Sequence, residues 1–267
     1  MKVNITWIIG FVMMAVLVFL GMLDGGEMRY YWDWPSVQIT VGGTLGAMIA
    51  STPFEIMKNV GKLFKFAILP PKFDAYKTID DMVAYATTAR SKGLLALEES
   101  ANKAADPFMR QALMLIIDAN DPDKVREMLE NAMDSSAERH SAATSFFSVG
   151  VAMGPAFGMI GTLVGLIIML NEMAENPDNI GTAMAIAIIT TFYGSLLANV
   201  VLAPLEKSLK DTHASEELCK NMVLEGVMAI AAGANPRFIR EKLEFMLPRS
   251  EVEKRAAKAG AAAPANQ

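Results

Sequence analysis

Four stretches of the chain contain no Asp, Glu, Lys, Arg or His: residues 3–23, 35–54, 141–170 and 179–205. Each reaches the roughly 20 apolar residues that a membrane-spanning helix needs. The pattern predicts an all-α membrane protein with four transmembrane helices, a large helical cytoplasmic loop between the second and third, and a cytoplasmic C-terminal region. The second run is the least apolar, diluted by Ser36, Gln38, Thr40, Thr44, Ser51 and Thr52. Elsewhere the pattern changes to helical amphipathicity. In residues 76–92, Ile79, Met82, Val83, Ala86 and Ala89 share the inward side and Gly93 supplies the stop. Asp121–Pro122 and Asn235–Pro236 read as N-cap and first-turn pairs. The first opens a helix through Val125, Met128 and Leu129, and Pro248 ends the second. FEIMKNVGKLFKF, residues 54–66, sets apolar residues on one side and lysines on the other, a helix expected to lie along the inner membrane surface.

Composition supports the membrane reading: 52% of the 267 residues are hydrophobic, 20 are methionine, and the mean hydropathy is +0.29. Residues 3–23 exceed a signal-peptide core and end in LDGGE rather than a small-x-small site, so they are expected to remain as a span. The short connections LDGGEMRYYWDW and NEMAENPDN are acidic, whereas Lys2, Lys58, Lys62, Lys65, Lys72, Arg139, Lys207 and Lys210 flank the other ends. Basic residues stay on the cytoplasmic side, which places both termini in the cytoplasm, and Tyr30, Tyr31, Trp32 and Trp34 form an outer aromatic belt. The expected organisation is residues 1–54 for spans one and two, 55–140 for a cytoplasmic helical domain, 141–205 for spans three and four, 206–249 for C-terminal helices, and 250–267 for a disordered tail. A net charge of −5 and a pI near 5.2 argue against nucleic acid. The single Cys219 excludes an intrachain disulfide. No phosphate loop, metal cluster, nucleophile constellation or paired acid suggests an enzyme, a structural metal or a cofactor.

In span three, Gly150, Gly154, Gly158, Gly161 and Gly165 step by three or four and fall on one helical stripe. Lipid gives apolar helices no hydrophobic reason to associate, so such a stripe is a surface for close backbone approach by another helix. Span four has Ala187, Thr191, Gly194 or Ser195, and Ala198 on one face. Pro155 and Pro204 loosen the two helices near their cytoplasmic ends. On composition alone, the pair is either a tightly packed scaffold or a moving part with two hinge points. The spans have no ionisable group of the kind proton pumps use as a relay. Thr162, Thr190 and Thr191 put hydroxyls at mid-depth, where they either bond their own backbone or line a wet path. A carboxylate would have to come from a partner.

These residues resemble the MotA/PomA family, the stator A-subunits of the bacterial flagellar motor. The likeness runs from span one to about Pro248. It is carried by ARSKGLLALEE (89–99), ERH (138–140), GPAFGMIGTLVGLIIML (154–170) and IGTAMAIAIITTFYGSLLANVVLAPLEKSLK (180–210). The resemblance implies a ring of five A-subunits around a dimer of MotB/PomB-type B-subunits in the bacterial inner membrane, whose ion flow turns the ring. It implies that Arg90 and Glu98, assisted by Lys92 and Glu99, contact the rotor switch protein FliG, and that Pro155 and Pro204 are the hinges. Thr162 and Thr191 would face the ion-carrying aspartate of the B-subunit. The Thr190–Thr191 pair resembles the sodium-type branch, with the proton as the alternative ion. Taken alone, exposed charges such as Arg90 and Glu98 are usually solvated and worth about 0–1 kcal/mol when paired.

The nearest rival is the ExbB/TolQ type of energiser of envelope processes. Its members resemble three-span proteins, so VQITVGGTLGAMIAS and ARSKGLLALEE weigh against it. A self-sufficient channel or transporter is disfavoured by the uncharged spans.

Overall fold

The computed structural model describes residues 5–118, 121–175, 180–253 and 255, and among these every regular element is helical. Three helical runs are long and apolar enough to cross a membrane, within Trp7–Asp24, Pro122–Met173 and Ile180–Ala231. Helix α1 (Ile5–Asp24) turns Ile9, Val12, Met13, Val16, Leu17, Phe19 and Leu20 outward. An apolar helix face without protein cover suits a lipid surrounding.

The second uncharged run is one helical stretch in three pieces: α2 (Trp34–Val37), a π-helical turn (Gln38–Gly42) and α3 (Gly43–Ala50). Asp33 caps its start by accepting from the Ser36 N–H at 2.8 Å. Its buried face is Ser36, Thr40, Thr44 and Met48, at intervals of four, while Leu45 and Ile49 face out. The polarity is inside out relative to a soluble helix, which suits hydrocarbon on the outer side. The buried hydroxyls are satisfied: Thr44 donates to the Thr40 carbonyl at 2.6 Å and Thr40 to the Thr190 carbonyl at 3.3 Å. Residues 54–66 do not form one helix. The stretch breaks at Lys58–Asn59 into α4 (Phe54–Met57) and α5 (Val60–Ile68), and Leu63, Phe64 and Ala67 pack with Phe146 and Phe147.

The chain divides into two compact units, one of residues up to Lys72 with Arg139–Thr212, the other Phe73–Glu138 with residues from His213 onward. The second unit contains α6 (Ala75–Lys92), a 3₁₀ turn (Leu94–Ala96), α7 (Leu97–Asn102) and α8 (Pro107–Asp118). It also takes in the start of α9 (Pro122–Glu175), the end of α11 (Ala203–Ala231), and α12 (Pro236–Glu244). Ile79, Met82, Leu97, Leu113, Leu129, Met222, Val223, Val227, Ile239 and Leu243 form its core. Gly93 caps α6 at φ +85°, a conformation that favours glycine. Asp121 and Asn235 accept from the backbone N–H of Asp123 and Arg237, as their N-cap positions require. Val125 and Leu129 point inward, but Met128 is 53% exposed, because only one of two neighbouring positions can follow the seam of a helix. The tail is also more ordered at its start than expected. Residues 249–253 are helical, Val252 packs on the core, and Arg255 bonds Asp80. The rest of the expected disorder, residues 254 and 256–267, lies outside the described residues, as do residues 176–179 of the acidic connection.

Candidate functional site

The five stripe glycines of α9 are all buried, and they meet α10 (Ile180–Ser195) and the π-helical turn after it (Leu196–Leu202) backbone to backbone. A Cβ added at Gly154 would stand 2.9 Å from the Gly194 carbonyl oxygen, and one at Gly165 would stand 2.7 Å from the Ala187 nitrogen. Gly161 receives the Thr190 side chain, where a Cβ would lie 2.4 Å from Cγ2. At the foot, a Cβ on Gly150 would meet Leu202 at 2.6 Å and Met48 at 2.7 Å. Such contacts are available only to helices whose facing residues have almost no side chain.

Two of the three threonines, Thr162 and Thr191, come together in this seam. Thr162 Oγ1 and Thr191 Oγ1 are 2.5 Å apart, and Thr162 Oγ1 lies 2.9 Å from the Ala187 carbonyl oxygen and 3.1 Å from that of Gly158. Thr191 Oγ1 is 3.4 Å from the same Gly158 oxygen. Each hydroxyl has one proton and two lone pairs. If Thr191 donates to Thr162 and Thr162 to Ala187, both Thr191 lone pairs stay open, on a residue exposed at the surface of the chain. Thr190 does not join this pair. It is fully buried and bonds the Ile186 and Ala187 carbonyls of its own helix, so the small face of span four is Ala183, Ala187, Thr190, Gly194 and Ala198 rather than the face through Thr191.

Pro155 lies inside α9. Pro204 follows the π-helical turn, in which the Ala203 N–H reaches back five residues to the Ala198 carbonyl. A proline has no N–H for the preceding turn and crowds it, and a wider turn relieves that crowding. The segment around Pro204 is tethered from three sides. Trp7 Nε1 donates to the Pro204 carbonyl at 3.0 Å, Ser208 donates to the Ala67 carbonyl at 2.7 Å, and Ser148 donates to the Glu206 carboxylate at 2.7 Å. Sequence reasoning missed Thr40, Thr44, Ser148 and Glu206. The four-residue spacing of Ser36, Thr40 and Thr44 was the available signal.

In the second unit, Arg90, Lys92, Glu98 and Glu99 are all exposed, around the turn that joins α6 to α7. Glu99 pairs with Lys103 at 2.5 Å, and that hydrogen bond holds its carboxyl below the usual range. Arg90 and Glu98 make no ion pair among the described residues. Asp80, near the start of α6, accepts from Arg240 at 2.9 Å and Arg255 at 2.7 Å. Burial raises the Asp80 carboxyl, but the two arginines outweigh it and keep it below its ordinary value.

In class, the chain is a helical subunit of the MotA/TolQ/ExbB proton channel family, whose model matches residues 100–222. Within that class it belongs to the motility protein A family, and residues 8–93 match the Motility protein A N-terminal model. It is 34% identical to Motility protein A of Borreliella burgdorferi over 92% of this chain and 93% of that one. It is 35% identical to chemotaxis protein PomA of Vibrio alginolyticus over 91% and 95%. The fold is similar to the structure of the flagellar MotAB stator complex from Bacillus subtilis, with a TM-score of 0.84 at 27% identity, covering 93% of this chain and 98% of that one.

Proposed function

We propose that this chain is the A-subunit of a bacterial flagellar stator, crossing the inner membrane four times with both termini in the cytoplasm. The observation that carries the reading is the meeting of Thr162 Oγ1, Thr191 Oγ1 and the Gly158 and Ala187 carbonyl oxygens in uncharged stretches of α9 and α10. An oxygen cluster without a charge of its own suits a cation delivered by a partner's carboxylate. A MotB/PomB-type B-subunit supplies that carboxylate, in a complex of five A-subunits around two B-subunits. Sodium is the favoured ion, because hydroxyl and carbonyl oxygens can replace its water, whereas a proton needs only the carboxylate. The family description names protons, so sodium preference rests on this cluster and not on family membership.

The second span is the stretch 34–50, whose 17 helical residues reach about 26 Å of a hydrocarbon core of about 30 Å. Pro155 and Pro204 serve as hinges, and Arg90, Lys92, Glu98 and Glu99 face the rotor protein FliG. One elementary charge crossing 100 mV releases about 2.3 kcal/mol, so torque comes from many small steps. The test is swimming speed against external sodium, at fixed pH and ionic strength, in a stator-less motile cell given this chain and its B-subunit. Speed that climbs and saturates with sodium supports the whole reading. Speed indifferent to sodium keeps the stator and makes it proton-driven, and absent motility despite membrane insertion counts against the stator itself.

A further inference from the structure

The rotor-contact residues are all charged, yet a large apolar side chain stands exposed in their midst. Leu95 is 76% exposed, while its neighbour Leu94 packs on the core of the second unit and Leu97 is fully buried. The turn that presents it is fixed at both ends. The Gly93 N–H donates to the Ala89 carbonyl at 2.8 Å, the Ala96 N–H donates to the Gly93 carbonyl at 3.2 Å, and buried Leu97 opens α7. A leucine held out in water on a rigid turn has already given up the ordering entropy that binding would otherwise cost. Arg90 and Lys92 stand before it, and Glu98 and Glu99 after it. An apolar centre with a charged rim is the usual anatomy of a protein contact.

We propose that Leu95 is the apolar anchor of the rotor-facing surface and seats in an apolar socket of the rotor protein. Acidic side chains of that socket would face Arg90 and Lys92, and basic ones would face Glu98. The mixed rim favours this occupant, because bases on one side of Leu95 and acids on the other match a partner surface that carries both signs, which a uniformly anionic membrane surface or nucleic acid does not. A single leucine and its rim fall far short of the roughly 800 Å² per partner of a stable interface, so the contact is one that forms and releases repeatedly. The inference rests on the stator reading.

The test uses the complete stator complex in motile cells, with Leu95→Asn, Leu95→Met and Arg90→Glu compared for torque per stator and residence time at the motor. Membrane amount, B-subunit co-purification and ion uptake are measured alongside. Leu95→Asn is expected to weaken rotor engagement roughly tenfold to a hundredfold, the worth of one buried leucine, with assembly and ion uptake unchanged. Leu95→Met should stay near wild type. Benzoylphenylalanine in place of Leu95 should crosslink to the rotor protein on illumination. Wild-type torque in Leu95→Asn beside impaired torque in Arg90→Glu overturns the anchor and keeps the rotor-facing surface. Wild-type torque in both removes the surface itself. Loss of assembly in Leu95→Asn, or crosslinking to a neighbouring A-subunit, overturns the proposal by making Leu95 structural.

Discussion

The closest backbone approach in the seam gives a prediction whose size follows from the coordinates. A Cβ added at Gly194 would stand 2.4 Å from the Gly154 carbonyl oxygen, about 1 Å inside ordinary contact. Backbone lies on both sides, so no rotamer can relieve the clash and α10 must shift away from α9. That shift would also strain the Thr162–Thr191 pair, which joins the same two helices. Overpacking of this kind costs about 1–3 kcal/mol, or roughly 5- to 150-fold in the folding equilibrium. For a chain of this size that lowers the thermal midpoint by roughly 2–12 °C. Gly181→Ala is the control, because its added Cβ meets nothing within 4 Å. The comparison is of thermal unfolding midpoints for Gly194→Ala, Gly181→Ala and wild type in one detergent. Equal midpoints for the two variants would refute the seam as a determinant of stability.

Further outcomes test other parts of the structure. Thr162→Val removes one cluster oxygen at nearly constant volume and should raise the sodium concentration needed for half-maximal speed, whereas an unchanged sodium curve would remove Thr162 from the ion path. Glu98→Lys should cut torque while leaving membrane amount and ion uptake intact, and a failure of membrane insertion would contradict its placement on an exposed surface. Asp80→Asn should cost up to ~1 kcal/mol at pH 7, since the Asp80 carboxyl is 44% exposed and its ion pairs are screened. Because its folded-state pKa is depressed, the stabilising contribution is full above the ordinary carboxylate value near pH 4 and fades as pH falls through the lower folded value. The unfolding midpoints of wild type and Asp80→Asn should therefore converge only in acid, and a constant difference down to about pH 2 would count against that ion pair. Trp7→Phe keeps the stacking on Phe11 but loses the bond to the Pro204 carbonyl, an expected loss of about 1 kcal/mol by thermal unfolding; no loss would mean that the tether contributes nothing.

Periodicity made the glycine stripe legible, because residues three and four apart on a helix must share a side whatever they pack against. It could not choose between Thr190 and Thr191. Adjacent residues point about 100° apart, and only the position of α9 decides which of them meets Gly161 and which meets Thr162. Averaged hydropathy hid the organisation of the second run for a related reason. An average discards direction, and in residues 34–50 the hydroxyls face protein while leucine and isoleucine face out. The break at Lys58–Asn59 carried no proline and no residue that demands it. The contacts of Leu63 and Phe64 with Phe147 belong to tertiary packing, which a local pattern does not contain. Arg90 and Glu98 were readable only through a family motif, since free surface charges look alike in sequence.

The inside-out helix at residues 34–50 has a consequence for how the chain is made. Its buried Thr40 donates to the carbonyl of a residue 150 positions later in the chain. At synthesis rates of roughly 5–20 residues per second, that acceptor emerges roughly 8–30 s after Thr40 does. During that interval the helix must wait at or in the membrane with its hydroxyl face uncovered, relying on self-contained bonds such as Thr44 to Thr40 and Thr52 to Met48. Those local bonds make the helix tolerable to lipid while it waits, and the arrival of α10 turns a marginal insertion into a permanent one. Biogenesis of this protein is therefore most exposed to membrane quality control before α10 is translated.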